Sequence, residues 1–222
     1  MSAIKIPLVE NVLKANDKIA AENRIFLADK GVLTINMMSS PGAGKTTLIE
    51  NTIRSLKDEI TIAVIEGDIQ TTYDAERISA TGAQVVQINT GGACHLDANM
   101  ISNALSQLDL NSVDLLIIEN VGNLVCPASF DLGANYKVML LSVSEGDDKP
   151  LKYPLMFNIS SALLVNKIDL LPYVDCDTGK IKDGALRINP DLEIFEISCK
   201  TGVGLEDWLA WLKAKLEEKG NN

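Results

Sequence analysis

The stretch Ser39-Ser40-Pro41-Gly42-Ala43-Gly44-Lys45-Thr46-Thr47 constrains this chain more than any other. An apolar run from Val32 to Met38 precedes it and Leu48-Ile49-Glu50-Asn51-Thr52-Ile53 follows, so it lies where a strand gives way to a helix. That is the context of a phosphate-binding loop. Small residues let backbone N–H groups turn inward, and the helix N-terminus behind them favours an anion. Gly42, Ala43, Gly44, Lys45, Thr46 and Thr47 are the candidate nucleotide contacts, with Lys45 directed at the β- and γ-oxygens and the Thr46 hydroxyl at Mg²⁺. Ser39 stands where the G-x-x-x-x-G-K-[ST] pattern begins with glycine, a departure that leaves the phosphate-touching positions in place.

A loop of this kind belongs to an α/β chain, and the expected architecture is a three-layer P-loop NTPase fold with a mostly parallel central sheet flanked by helices. The 222 residues suit one such domain over 31–222 behind an N-terminal helical extension over 1–30. In that extension Leu8, Val12, Ile19, Ile25 and Phe26 suggest a helix docked on the domain and stopped by Gly31. A formal net charge of −10 opposes non-specific attraction to nucleic acid or acidic lipid. No apolar run approaches the roughly 20 residues of a membrane span, and the N-terminus carries no signal-peptide pattern, so a cytoplasmic location is expected. Four cysteines without a close C-x-x-C pair read as thiols or metal ligands rather than as a disulfide framework.

Beyond the first helix, Thr61 to Ile65 reads as a strand that ends in Glu66-Gly67-Asp68. Ligand groups in open α/β sheets sit at the carboxyl ends of strands, which makes Asp68 a candidate for the Mg²⁺ water shell or for orienting an attacking water. Thr71, Thr72 and Asp74 form a polar stretch able to order around a γ-phosphate, although Asp68 or Asp74 can equally cap the helix expected near Tyr73. A third strand, Gln84 to Ile88, leads through Gly91-Gly92-Ala93 to Cys94 and His95, with a helix expected to run on to Leu108. Cys94 and the chain's single histidine are adjacent at the opening of that helix, a setting that favours the thiolate and suits Zn²⁺ or Ni²⁺. Two ligands are too few, so another loop must contribute. Val113 to Ile118, the most apolar run so far, leads into Glu119-Asn120-Val121-Gly122-Asn123-Leu124-Val125-Cys126. Glu119 and Gly122 have the D-x-x-G spacing of a nucleotide switch with Glu for Asp, so the carboxylate would face Mg²⁺ through water and the Gly122 N–H the γ-phosphate. Lys45, Asp68 and Glu119 are the expected catalytic groups, and Cys126 ties a metal ligand to a nucleotide sensor.

Later in the chain, Ala162 to Val165 ends in Asn166-Lys167-Ile168-Asp169, which matches the N-K-x-D base motif of GTPases. A carboxylate accepts both guanine N1–H and the 2-amino proton, whereas adenine offers neither in that arrangement. Asn166 would steady the loop, and the Lys167 stem would pack along the base. Ser198-Cys199-Lys200 supplies the companion loop, whose backbone is expected to touch guanine O6. Cys199 reads as a small residue in that loop, and Cys176 as a surface thiol. Ala134 to Val143 is a further strand, and 144–154 a charged surface loop in which Lys152 is a candidate nucleotide or dimer contact. A final helix from Leu205 to Leu216 carries Trp208 and Trp211 onto the sheet.

Taken together, the phosphate loop, Glu66-Gly67-Asp68, Gly91 to Leu96 and Glu119 to Pro127 resemble the hydrogenase nickel-incorporation GTPase family, HypB, over nearly the whole chain. The resemblance implies a dimerising P-loop GTPase of the SIMIBI class that converts GTP to GDP and phosphate with Mg²⁺. It further implies work with a nickel-insertion accessory protein on the precursor of the hydrogenase large subunit. The family's metal ligands, shared across a dimer interface, fall on Cys94, His95 and Cys126, where Ni²⁺ or Zn²⁺ would sit. Turnover is expected to be slow in isolation, because no arginine lies within the phosphate loop or the Glu119 loop. The N-terminal cysteine motif and histidine-rich stretch of some members are missing, so tight nickel storage is not implied. Two alternatives stand beside this reading. One is a urease-type nickel-insertion GTPase, whose Cys-Pro-His motif differs from Cys126-Pro127-Ala128; the other is a nucleotide-gated scaffold without metal transfer.

Overall fold

Short runs rich in Val, Ile and Leu make the strands, because residues buried on both faces of a parallel sheet need no polar alternation. In the computed structural model, which describes residues 8–69 and 71–220, seven of them align. They are β1 Leu33–Ser39, β2 Ile62–Asp68, β3 Gln84–Asn89, β4 Leu115–Glu119, β5 Tyr136–Ser142, β6 Ala162–Asn166 and β7 Glu193–Glu196. Their spatial order is β3-β2-β4-β1-β5-β6-β7, and every pairing is parallel. The expected three-layer architecture is present, with the sheet wholly rather than mostly parallel.

The α-helices among the described residues are α1 Leu8–Asp29, α2 Lys45–Leu56, α3 Tyr73–Ser79, α4 Ala98–Leu105, α5 Cys126–Ser129, α6 Lys149–Lys152, α7 Pro154–Ile159, α8 Thr178–Ile188 and α9 Leu205–Gly220. Alternation along β1 divides them between two faces. Leu33, Ile35 and Met37 pack in one core with α2, α3 and the α9 residues Trp208, Trp211 and Leu212. On the opposite face, Leu27 of α1 and Ile101 of α4 cover β2 and β4, while α5, α7 and α8 cover β5 and β6. Trp208 is fully buried and its indole N–H donates to Thr52 Oγ1 at 3.0 Å, so α9 closes its face as its sequence suggests. None of the described helices is long and apolar enough to cross a membrane.

Four sequence expectations need revision. Three of the apolar residues that suggest docking of α1 face outward: Val12, Ile25 and Phe26 are 51%, 63% and 43% exposed, while Ile19 is half-buried and the Leu8 side chain lies outside the described residues. The buried stripe is Asn16, Ala20, Asn23 and Leu27, spaced three and four apart, and two of its members are polar. Asn16 Oδ1 accepts from the Ala98 N–H at 2.8 Å and Asn23 Nδ2 donates to the Ala98 carbonyl at 2.8 Å, so α1 satisfies backbone groups at the start of α4. Residues 144–154 form a short helical turn and α6 rather than an open loop, with Pro150 in the first turn of α6, where its missing N–H costs nothing. α4 stops at Leu105, short of Leu108. Cys176 is half-buried and packs against the core under α7 and α8, and burial pushes its thiol upward, so it is less exposed than a surface thiol among aspartates would be.

Candidate functional site

The turn from β1 into α2 needs left-handed backbone at Gly42 (φ 74°) and Gly44 (φ 106°), and a Cβ on Gly44 would stand 2.6 Å from Asn166 Nδ2. Lys45 is buried, and its ammonium donates to Ser39 Oγ at 2.9 Å. The serine that departs from the usual motif therefore gives the lysine an acceptor. Burial lowers the Lys45 pKa, while Glu119 opposes the shift most strongly. Ser40 Oγ bonds to Glu145 Oε2, which places one residue of the charged segment against the phosphate loop.

Two carboxylates meet at the ends of adjacent strands, since β2 and β4 pair with Glu66 opposite Glu119. Glu119 Oε1 accepts from Thr46 Oγ1 at 2.9 Å, and burial raises its pKa to about 7 against the opposing pull of Lys45. Burial, with Glu119 as the next cause, raises Glu66 to about 8. Each keeps one buried oxygen, Oε2, without a hydrogen-bond partner. Orphaned carboxylate oxygens beside a threonine hydroxyl fit a divalent cation and its waters. Both line a cavity of about 700 Å³ with Lys45, Thr46, Asp68 and Gly122. Asp68 Oδ1 accepts from the Thr71 N–H at 2.9 Å, and the residue capping α3 is Thr72, so neither Asp68 nor Asp74 fills that position.

Two charged lining residues, Glu66 and Arg77, carry no assigned role in the sequence. Glu66 is a charge at the end of an apolar run, a signal present in the sequence but not separable there from its neighbour Asp68. Arg77 also lines the cavity and donates to Glu50 Oε2 at 2.6 Å, Asp74 Oδ1 at 3.2 Å and Thr47 Oγ1 at 3.1 Å. It lies on α3, outside both the phosphate loop and the Glu119 loop, and only the packing of α3 on α2 brings it in.

A second cavity of about 430 Å³ shares Gly44, Thr47 and Lys167 with the first and adds Asn166, Asp169, Cys199 and Lys200. Asn166 bridges its walls by donating to the Ala43 carbonyl at 2.9 Å and accepting from the Cys199 N–H at 3.1 Å. That N–H belongs to the 198–200 backbone expected to touch guanine O6, and it is Asn166 that accepts from it. Lys167 adopts φ 63° and its ammonium donates to the Gly42 carbonyl at 2.7 Å, laying the stem along the cavity. Ser198 is fully buried and does not line the cavity; its hydroxyl donates to Asp169 Oδ1 at 2.6 Å. Burial pushes the Cys199 thiol up to about 11, which agrees with a small neutral residue.

Cys94 and His95 come from the loop after β3, and Cys126 opens α5 after β4. Cys94 Sγ lies 2.9 Å from Cys126 Sγ and 3.7 Å from His95 Nδ1, and the three donors lie within 4.8 Å of one another. Cys94 does not open a helix as its sequence suggests, because α4 begins only at Ala98 behind its Asp97 cap. The His95 ring stacks on Phe130 with centroids 3.8 Å apart, and burial lowers its pKa against the pull of Asp97, which favours the neutral ligand form. Contact with Cys94, with burial second, pushes the Cys126 thiol upward. Two sulfurs and an imidazole suit Ni²⁺ or Zn²⁺. Asn123 Nδ2 donates to the Cys94 carbonyl at 3.3 Å and so joins the two loops.

A parallel sheet with a lysine-bearing phosphate loop at β1, carboxylates at β2 and β4, and Asn-Lys-x-Asp after β6 defines a P-loop protein of the GTPase type. Residues 33–196 match the CobW/HypB/UreG nucleotide-binding domain family. The chain is 53% identical over 205 residues to hydrogenase maturation factor HypB of Escherichia coli K12, covering 92% of this chain and 71% of that protein. It is 43% identical to the probable hydrogenase maturation factor HypB of Methanocaldococcus jannaschii, covering 96% of each. The crystal structure of HypB from Helicobacter pylori in complex with nickel superimposes with a TM-score of 0.88 at 44% identity, over 92% of this chain and 96% of that one. The chain belongs to the HypB family of hydrogenase maturation factors.

Proposed function

We propose that this protein hydrolyses GTP to control a homodimer that carries nickel toward the precursor of the hydrogenase large subunit, together with a nickel-insertion accessory protein. The observation that supports it best is the convergence of Cys94, His95 and Cys126. Cys126 lies four residues from Gly122, so one of the three metal donors and the nucleotide-facing loop are one piece of chain. Gly122 in turn backs onto Pro41 of the phosphate loop, where an added Cβ would come within 3.0 Å. In this reading Gly42, Ala43, Gly44, Thr46 and Thr47 cradle the phosphates and Lys45 neutralises them. Thr46, Glu119 and Asp68 would hold Mg²⁺, directly or through water, and the ion would supply charge neutralisation for the phosphates. Asp169 accepts from guanine, while Asn166 and the 198–200 segment shape the base cavity.

Three donors fall short of a closed four-ligand site, and two chains meeting about a two-fold axis can pool theirs. Equilibrium dialysis of Ni²⁺ combined with light scattering tests this directly. Metal should bind to a dimer, and Cys126→Ala should lose most of that binding. Undiminished uptake by the variant would remove Cys126 from the site, and uptake by a monomer would dispose of the shared arrangement.

A further inference from the structure

We infer that Asn120 is the positioning residue that ties the nucleotide-facing loop to the Cys94–His95 arm of the metal site. This rests on the reading above, in which the Glu119–Gly122 loop responds to nucleotide. Asn120 follows Glu119 at the end of β4 and is 1% exposed. Three parts of the chain meet on its amide. Oδ1 accepts from the Leu96 N–H at 3.1 Å and from the Val121 N–H at 2.9 Å, while Nδ2 donates to Asn36 Oδ1 of β1 at 3.2 Å. Its own N–H donates to the Met37 carbonyl at 3.0 Å, two residues before the phosphate loop.

Leu96 follows His95 directly and is fully buried. Its N–H therefore has no water to turn to if the Asn120 oxygen withdraws, and a buried donor left without an acceptor is costly. A second contact limits where Leu96 can go. A Cβ on Gly67 would stand 2.8 Å from the Leu96 side chain, so with any larger residue between Glu66 and Asp68 Leu96 would have to shift from its seat on β2. A shift of Asn120 thus carries Leu96 with it, and Cys94 and His95 move relative to Cys126. The covalent path from Gly122 moves Cys126 directly and touches the other arm at the Cys94 carbonyl, through Asn123 Nδ2 at 3.3 Å. Because Cys94 Sγ and Cys126 Sγ are only 2.9 Å apart, metal geometry depends on both arms, and Asn120 sets the first.

The test is the Ni²⁺ affinity of the full chain, read by competition with a chromophoric chelator, in the GDP state and with a non-hydrolysable GTP analogue. Wild type should show a ratio between the two states within the usual range of about 5- to 150-fold. Asn120→Ala should bring that ratio close to one, whereas a merely structural role would lower the affinity of both states alike and leave the ratio unchanged. A ratio unchanged by Asn120→Ala would overturn the assignment. A ratio of one already in wild type would instead refute the underlying nucleotide–metal coupling, so the two failures are distinguishable. Should the variant not fold, amide exchange at Leu96 in wild type decides: protection should differ between the two nucleotide states. Equal protection alongside a ratio far from one would eliminate Asn120 as the link.

Discussion

Replacing Asn166 with alanine removes one side chain that serves both halves of the proposed nucleotide site. The residue is 1% exposed, its Nδ2 donates to the Ala43 carbonyl at 2.9 Å, and its Oδ1 accepts from the Cys199 N–H at 3.1 Å. Truncation leaves a buried carbonyl in the phosphate loop and a half-buried N–H in the 198–200 segment without partners. Each orphan costs about 1–3 kcal/mol, so the loss of stability from the two should be about 2–6 kcal/mol, with the lower end reached if water enters the gap. Urea unfolding of nucleotide-free protein should show a lower midpoint at unchanged slope. GDP affinity should also fall, by roughly tenfold for each 1.4 kcal/mol that the bound state shares. Asn166→Asp keeps the acceptor for Cys199 but sets a carboxylate against the Ala43 carbonyl, so it should be no milder. A midpoint and a GDP affinity both matching wild type would refute the bridging role.

Guanine selectivity should reside in Asp169: wild type should bind GTP far better than ATP, Asp169→Asn should favour xanthine nucleotides, and equal wild-type affinities for GTP and ATP would dismiss the base cavity. Lys45→Ala should abolish phosphate release, and chelating Mg²⁺ should do the same to wild type, whereas rapid turnover in either case would place the chemistry elsewhere. The buried Glu66 sets a pH dependence whose sign follows from its raised pKa of about 8 against an ordinary 4.5. Between those values the folded state holds a proton that the unfolded state has lost, so nucleotide-free protein should lose stability as pH rises through that window. Glu66→Gln should flatten the decline and stabilise at the alkaline end by on the order of a few kcal/mol, a part of the effect remaining with Glu119. Parallel urea-midpoint profiles for wild type and variant would contradict this.

The parts of this protein carried by local chemistry are legible from residues alone. Glycine spacing between an apolar run and a helix marks a phosphate loop because only small residues permit that turn, and Asn-Lys-x-Asp after a strand marks a base contact for an equally local reason. Cys94 beside His95, and Cys126 near Gly122, are likewise visible as soft ligands, although their convergence is not. Sulfur atoms 32 residues apart meet only because β2 lies between β3 and β4 and brings the loops after β3 and β4 together over its carboxyl end. Other groups depend on partners that no short window contains. Glu66 becomes the partner of Glu119 through strand register, Arg77 enters the cavity through the packing of α3 on α2, and Glu145 reaches Ser40 across 105 residues. The buried face of α1 is hidden from sequence for a related reason. Hydrophobicity picks out Val12, Ile25 and Phe26, but the surface α1 meets offers the N–H and carbonyl of Ala98, the N–H being one that a helix start leaves without an intrahelical partner, and asparagine rather than an apolar residue answers them. Sequence determined the class of fold and the ligand types, since those follow from backbone sterics and side-chain chemistry. Tertiary structure decided which of those groups share a cavity, because burial, register and long-range hydrogen bonds exist only once the sheet has assembled.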